Sequence, residues 1–468
     1  MIYCNKLAQN IRIPKSNASI LRVRSALANF SCSVTKTSRR HFHDSGRIKA
    51  GIRASGVDAD AAAGQLNIAV VGAGLVGLAT SAMLRKAGHR ITIFESSEFH
   101  AELGAGIVLP PNGSNVIRKL LPEARWPNIQ AVDMRSMEML HVSGSHIETE
   151  DLSEGWTKYP QGYYMVHRVD LHKEMMRLAL APDAMTLPPA TVRLGAAIKE
   201  INFDTEHPSV TTSTGEQHKF DLVLGTDGIR STVRKCMLGA EYDAPATQLA
   251  HYRWMIDLAE HPSLSWIVKD RASSGPLMFV GGDKVLALIG YPVRGGKLVN
   301  CSAAHLDPRD QDSVGWNVSV DRAALQEAFS DWGEKGKTLV DVAKNPGSWQ
   351  LRKLPKLPTW RKGNVVILGD AAHAMFPTYG QGFAVGLEDA ATLATLLPAG
   401  TKPAEVNARL SIFEQLRKPR AEYVSQMSSD AYKPPEEQGE TGGFLGWLHP
   451  EFMEYDPVKE AQAALGKN

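Results

Sequence analysis

The chain has 468 residues, 43% of them hydrophobic, enough for a substantial core in two domains or in one domain with a large insertion. No apolar run approaches the roughly 18 residues that cross a bilayer, and four scattered cysteines (Cys4, Cys32, Cys236, Cys301) suit neither a disulfide framework nor a zinc site, which points to a reducing compartment. The formal charge of +2 is lopsided: residues 1–43 hold eight Lys or Arg and no acid, leaving 44 basic against 50 acidic residues elsewhere, a balance that argues against a nucleic-acid partner.

The basic extension comes first. It is rich in Ser and Arg, and SILRVRSALANF has the pattern of a short basic amphipathic helix, the profile of a mitochondrial transit peptide. The segment RHFHDS, Arg40 to Ser45, resembles the Arg-x-Phe-x-x-Ser pattern that precedes two-step mitochondrial processing. A disordered extension on a cytoplasmic protein, or a wrongly chosen start codon, fits the same residues. Either way, residues 1–64 stand apart from the fold.

The first ordered unit is LNIAVVGAGLVGLATSAMLRKAGHRITIFE, which reads as strand, turn, helix, strand. Leu66 to Val71 is the continuous apolar run of a strand buried on both faces. Gly72, Gly74 and Gly77 follow in G-x-G-x-x-G spacing: one for a tight turn, one for backbone to approach a pyrophosphate, one for close helix–strand packing. The phosphates of a dinucleotide then face the positive end of the helix. Glu95, 23 residues after Gly72, ends the next strand where a carboxylate accepts hydrogen bonds from ribose hydroxyls. An acid there favours a ribose without a 2′-phosphate, hence NAD or FAD.

Two further strands end in an acid beside glycine. KFDLVLGTDGIRSTVRK reaches Asp227-Gly228, and GNVVILGDAAHAMFPTYGQG reaches Gly369-Asp370. Acids at strand ends hold sugar or ribityl hydroxyls where backbone comes close, and Ala371 and Ala372 leave space for a cofactor chain. The competing reading of each is an Asp that caps the following helix.

The three signatures GAGLVG, GTDGIRS and GDAAHAMFPTYGQGFAVGLEDA resemble those of the FAD-dependent aromatic hydroxylases of the p-hydroxybenzoate and salicylate hydroxylase type. The likeness runs from about Leu66 to the WLHPEFMEYD tail, and ELGAGIVLPPN, HRVDLHKEM and IGYPVRGGKLVN are most similar to the salicylate-hydroxylase branch, which includes monooxygenases that tailor phenolic natural products. The resemblance implies an α/β fold: a Rossmann-like FAD-binding domain of the p-hydroxybenzoate hydroxylase type over 65–245 and 353–430, an inserted antiparallel β-sheet substrate domain over 246–352, C-terminal helices and a tail over 431–468. It implies one FAD and no separate nicotinamide domain. Gly72, Gly74, Gly77 and Glu95 would hold the ADP part. Gly106 of GAGI and Arg168 of HRVDL would lie along the cofactor. Asp370 would bind the ribityl-pyrophosphate stretch with Asp227 and Gly228 nearby, and the backbone at Gly380, Gly382 and Phe383 would meet the flavin ring. The positive end of the helix from Phe383 would favour the anionic reduced ring. His373 reads as structural.

The same resemblance implies the reaction. NADH or NADPH reduces the flavin, dioxygen adds to it, and the resulting hydroperoxide delivers one oxygen to an electron-rich aromatic carbon. The strands HYRWMIDL, PLMFVGG, KVLALIGYPV and KLVNCSAAH, separated by Gly, Pro and Asp turns, are expected to form the substrate sheet. On it Arg253 and Tyr291 are the candidate catalytic residues, because related tailoring enzymes place an Arg and a Tyr on a phenolate. An Arg holds that anion by charge-assisted hydrogen bonds. The competing readings are a salt-bridging Arg and a packed core Tyr. Tyr252 is a second candidate wall. His251 faces the other way from Tyr252 in a regular strand, so one of the two lines the pocket. A His that serves some benzoate hydroxylases as base is replaced here by Gln248.

The expected partners are an aromatic small molecule and dioxygen, without nucleic acid, metal or transmembrane segment. A plain NAD-dependent dehydrogenase explains Gly72 to Glu95 but not the later acid–Gly turns. A mitochondrial quinone-ring hydroxylase, an isoprenoid epoxidase and a non-catalytic prenylation chaperone share the architecture and stand as alternatives. Nothing in the sequence sets an oligomeric state.

Overall fold

The computed structural model describes residues 64–98, 105–203, 206–268, 275–307, 309, 317–432 and 449–466. The extension expected over residues 1–64 lies, apart from Gly64, outside the described residues, and with it the transit-peptide reading. Everything below belongs to the unit Gly64–Asn468.

A six-stranded sheet starts the fold. Its order is Arg361–Lys362, Val365–Ile367, Leu222–Gly225, Asn67–Val71, Arg90–Phe94, Thr191–Arg193, parallel except for the first pair. The three apolar runs read from sequence thus lie side by side, with Ile68 opposite Leu222 on one flank and Ile91 on the other. The helix Leu75–Lys86 packs on this sheet, and Phe94 meets His218 and Phe220 beside a three-stranded antiparallel sheet of Ile198–Asn202, Ser209–Thr212 and Gln217–Lys219, so the central strands are apolar throughout. Gly72 closes the first strand with φ 101°, and a Cβ there would stand 2.7 Å from the Thr226 carbonyl oxygen. A Cβ on Gly77 would stand 2.1 Å from the Gly72 carbonyl oxygen, so the helix Leu75–Lys86 lies directly on the turn.

A second sheet has eight strands in the order Asn317–Ser319, Lys344–Arg352, Ala246–Asp257, Leu298–Leu306, Val285–Val293, Leu277–Val280, Ser136–His141, His146–Asp151. Six of them fall in the stretch 246–352. The other two come from residues 136–151, so the sheet is assembled from two separate parts of the chain. Alternation along each strand sorts the side chains. Trp254, Ile256, Phe279, Leu288 and Cys301 pack on one face against Leu325, Phe329, Trp332 and Leu339 from two short helices and the turn between them. The opposite face carries Arg253, Ser302 and Ile289 in one cross-strand row, and His251 with Ala304 and Ala287 in the next.

The C-terminal helices close the fold. Gln381–Leu396 is apolar along most of its length but buries Glu388 and Asp389 completely. Arg417, from the 28-residue helix Pro403–Asp430, bonds Asp389 Oδ1 at 2.9 Å and Glu388 Oε2 at 2.8 Å. Arg420 and Asn112 satisfy Glu388 Oε1 at 3.1 and 2.7 Å. Charges this deep persist only when opposite charges stand beside them. Among the described residues no helix is long and apolar enough to cross a membrane.

Candidate active site

A cavity of about 430 Å³ runs between the six-stranded sheet and the polar face of the eight-stranded one. The strand-end turns open one side of it. Gly74, Thr226, Gly228 and Asp370 border it there, and Gly106, Val108 and Arg168 border its middle. At Gly74, Gly228 and Gly382 an added Cβ would meet nothing within 4 Å, so the backbone at all three is bare toward open space. That is a cradle for a long ligand whose phosphates and ring lie against main chain.

Most of the residues read from sequence come together here, each with a distinct task. Glu95 accepts from the Ala73 N–H at 2.8 Å and from the Ser97 N–H at 2.8 Å, so it ties the glycine turn to the end of the second strand. Burial pushes its carboxyl up, but those backbone donors outweigh it and hold the group below the ordinary range, charged. Gly106 N–H donates to Asn300 Oδ1 at 2.7 Å, and a Cβ on Gly106 would stand 2.6 Å from the Tyr291 ring, so this glycine locks the cofactor side onto the substrate sheet. Asp370 projects into the cavity. Its side chain is open to that space, and the protein packed around it raises its carboxyl above the usual range, against the pull of His373, Arg168 and Arg234.

The turn Gly380 to Phe383 also borders the cavity. Gly380 takes φ 63° as the N-terminal cap of Gln381–Leu396, with Val108 3.0 Å from where its Cβ would be. The left-handed turn swings the next N–H groups toward the cavity at the positive end of a 16-residue helix. His373 does not face it: Nε2 lies 2.6 Å from Asp389 Oδ2, which also accepts from the Gly369 N–H at 3.0 Å. The structural reading of His373 matches this placement.

Asp227 is engaged locally. Its carboxylate accepts from the Thr232 N–H at 2.7 Å, the Val233 N–H at 3.0 Å and the Ser231 hydroxyl, and it stands outside the cavity lining. It tethers the start of the helix Thr232–Leu238, the capping role that competed with a ligand role, while its neighbours Thr226 and Gly228 meet the cavity.

At the far end the cavity becomes a chamber against the substrate sheet, lined by Arg253, Tyr291, Met278, Ile289, Met375 and Phe376. Arg253 Nε is buried without a hydrogen-bond partner, and its guanidinium stands 5.7 Å from the centre of the Trp349 ring. Burial lowers its pKa, opposed by Tyr291, yet an Arg stays cationic. Burial raises the Tyr291 phenol well above its ordinary value, opposed by Arg253. A cation and a neutral phenol side by side in a low-dielectric pocket make a receptor for one anionic oxygen.

Of the alternatives His251 and Tyr252, Tyr252 is the one that faces away. It stacks on His305, ring centres 3.7 Å apart, on the face away from the chamber, and His251 lines the chamber instead. The signal was available, because residues 251 and 253 share parity along a strand and an inward Arg253 brings His251 with it. Asn300, Ser302, Thr378 and Tyr432 also line the cavity and were not read from sequence. Asn300 and Ser302 alternate along KLVNCSAAH and were within reach of the same argument. Tyr432 lies just past the end of a helix far along the chain, and no local pattern points it here.

Comparison with known proteins gives the same picture. The FAD binding domain family matches residues 65–428. Hispidin-3-hydroxylase of Neonothopanus nambi is 38% identical over 385 residues, covering 80% of this chain and 90% of that protein. Salicylate hydroxylase of Pseudomonas putida is 30% identical over 381 residues, covering 78% and 84%. Among solved structures, CtdE in complex with FAD and substrate aligns with a TM-score of 0.72 at 21% identity over 86% of this chain and 98% of that one, a likeness of fold.

Proposed function

The chain belongs to the FAD-dependent aromatic monooxygenases, and we propose that within this family it hydroxylates hispidin or a closely similar phenolic natural product. FAD is its cofactor, and NAD(P)H serves the family as reductant. The cradle fits that cofactor: bare backbone at Gly74, Gly228 and Gly382, Glu95 fixing the turn, and Asp370 projecting into the same space. Bound there, FAD supplies the activation of dioxygen for transfer of one oxygen atom to an aromatic carbon.

The chain's own residues do the rest. Arg253 and Tyr291 hold a ring oxygen as its anion, which raises electron density at the ring carbons beside it. Met278, Ile289, Met375 and Phe376 grip the flat apolar body and keep water out, which strengthens the Arg–anion contact. The N–H groups from Gly380 onward offer positive partial charge where the cofactor ring would lie. The observation that carries the reading is the buried, unpartnered Nε of Arg253 on the same sheet face as Tyr291 in a largely apolar chamber. The relative with 38% identity supports hispidin as the substrate class.

The test is steady-state oxidation of NADH and NADPH by the purified flavoprotein with hispidin, salicylate or 3-amino-4-hydroxybenzoate, followed by product mass. Hispidin is expected to accelerate oxidation at least about tenfold and to gain one oxygen atom. Oxidation that none of the three accelerates, in protein carrying FAD, would overturn the proposal. We further propose that residues 1–64 direct the protein to mitochondria, which a fluorescent fusion of that segment tests.

A further inference from the structure

A second cavity, of about 120 Å³, lies against the turn that carries Asp370 and has no role so far. Ala372, His373 and Ala374 line it, whereas Asp370, Met375 and Phe376 from the same segment line the larger cavity. The two spaces share one stretch of backbone and no lining residue. His373 is 4% exposed, and its Nδ1 is buried without a hydrogen-bond partner. Its Nε2 is engaged, 2.6 Å from Asp389 Oδ2. Asp389 also faces Arg417 and stays a carboxylate, which can only accept, so Nε2 carries the ring's proton. Nδ1 of the neutral ring therefore keeps a lone pair. A buried acceptor without a donor costs free energy, and this one belongs to a ring that borders open space.

The rest of the lining says what would supply the donor. Trp360, 1% exposed, gives an aromatic wall, its ring centre 5.3 Å from that of His373. Lys353 and Lys356 bring positive charge. Glu422 is the one acid in the lining, and Lys418 Nζ stands 3.2 Å from its Oε1. An aromatic wall, a lone pair and a positive rim fit a flat ring with a hydroxyl at one end and an acid group at the other. The size agrees. A fully enclosed cavity of about 150 Å³ takes a benzene ring, and this smaller one opens past the exposed Lys356.

We propose that this pocket binds a single-ring phenolic acid as an effector. The hydroxyl donates to His373 Nδ1, the ring lies against Trp360, and the carboxylate points toward Lys353 and Lys356. The site is separate from the chamber at Arg253 and does not depend on what that chamber hydroxylates. Binding there reaches the cofactor side through the imidazole. Asp389 Oδ2 holds both His373 Nε2 and the Gly369 N–H, and Gly369, at φ 58°, opens the turn into Asp370. A hydroxyl donating to Nδ1 polarises the ring and strengthens its Nε2–H bond to Asp389, which steadies that turn. FAD and the phenolic acid therefore tighten one another, by the same factor in both directions.

The probe is 4-hydroxybenzoate, with benzoate as the analogue that lacks the hydroxyl. Equilibrium dialysis uses the FAD-loaded Arg253→Ala protein, whose chamber has lost its cation. One bound 4-hydroxybenzoate per chain is expected, with benzoate at least about tenfold weaker, the scale of one hydrogen bond. Ser425→Phe pushes a ring into the pocket from the helix Pro403–Asp430. Added to Arg253→Ala, it should abolish the binding and keep the flavin. Lys356→Glu, a change at an exposed position, should weaken binding about tenfold in the same background. Saturating 4-hydroxybenzoate should lower the Kd for FAD at least about fivefold in Arg253→Ala, and not once Ser425→Phe is added. No saturable binding, binding that survives Ser425→Phe and Lys356→Glu, or benzoate held as tightly as 4-hydroxybenzoate would overturn the site. An FAD affinity that 4-hydroxybenzoate leaves unchanged would overturn its role as an effector. Failure of the wild type to hydroxylate hispidin would sink the substrate reading alone, because none of these measurements uses hispidin.

Discussion

Arg253 concentrates the argument at the scale of single residues. It was legible in the sequence because HYRWMIDL is a strand flanked by turns, and its partner Tyr291 lies on another. The structure adds the decisive detail of a buried Nε with nothing to bond. Arg253→Ala removes the cation without touching the glycine cradle. It is expected to leave bound FAD intact and to lower kcat/KM for the phenol by about 100-fold or more, the scale of one charge-assisted contact in a dry site. Absorbance at the flavin band together with turnover checks both halves. Loss of flavin would instead make Arg253 a structural residue. Asp227 teaches the opposite lesson. An acid at the end of a strand and the start of a helix satisfies a cap as well as a ligand, and residue type does not separate the two. Only the donors at Thr232 and Val233 do.

Among elements, the strand–turn–helix from Asn67 to Lys86 was the most legible, because three glycines at fixed spacing leave few alternatives. Their tasks separate cleanly in the structure and give a paired prediction. A side chain at Gly382 meets no protein atom within 4 Å, whereas one at Gly77 collides with the Gly72 carbonyl oxygen at 2.1 Å. Gly382→Val is therefore expected to fold with nearly unchanged thermal stability in the flavin-free state but to lose FAD affinity at least about tenfold. Gly77→Val should lower the melting temperature of the flavin-free protein itself, since the helix must lift off the turn. Fluorescence titration with FAD and thermal melts of both apoproteins separate the effects. An equal loss of stability in the two variants would contradict the cradle. The substrate sheet was legible in part. The strands within 246–352 announce themselves by turns and alternation, whereas Ser136–His141 and His146–Asp151 join from a distant earlier part of the chain. Nothing local says that Met139 will stand beside Met278.

The whole molecule joins two sheets across one cavity, and its least legible parts are those that long-range contact creates. Glu388 and Asp389 read as polar positions in a helix, yet both are fully buried and tied to Arg417. Through Gly369 and His373, Asp389 also braces the turn that presents Asp370 to the cavity. Tyr432 enters the chamber from the end of a 28-residue helix for the same reason: its place depends on how the closing helices pack. The account as a whole holds that this assembly exists to put one atom of dioxygen onto an anionic aromatic ring. The most direct measurement is turnover of hispidin by the purified yellow protein with NAD(P)H under isotopically heavy dioxygen, with the product read by mass spectrometry. One heavy oxygen atom per product is expected. A product whose new oxygen comes from water, or a protein that holds no flavin after reconstitution, would contradict it.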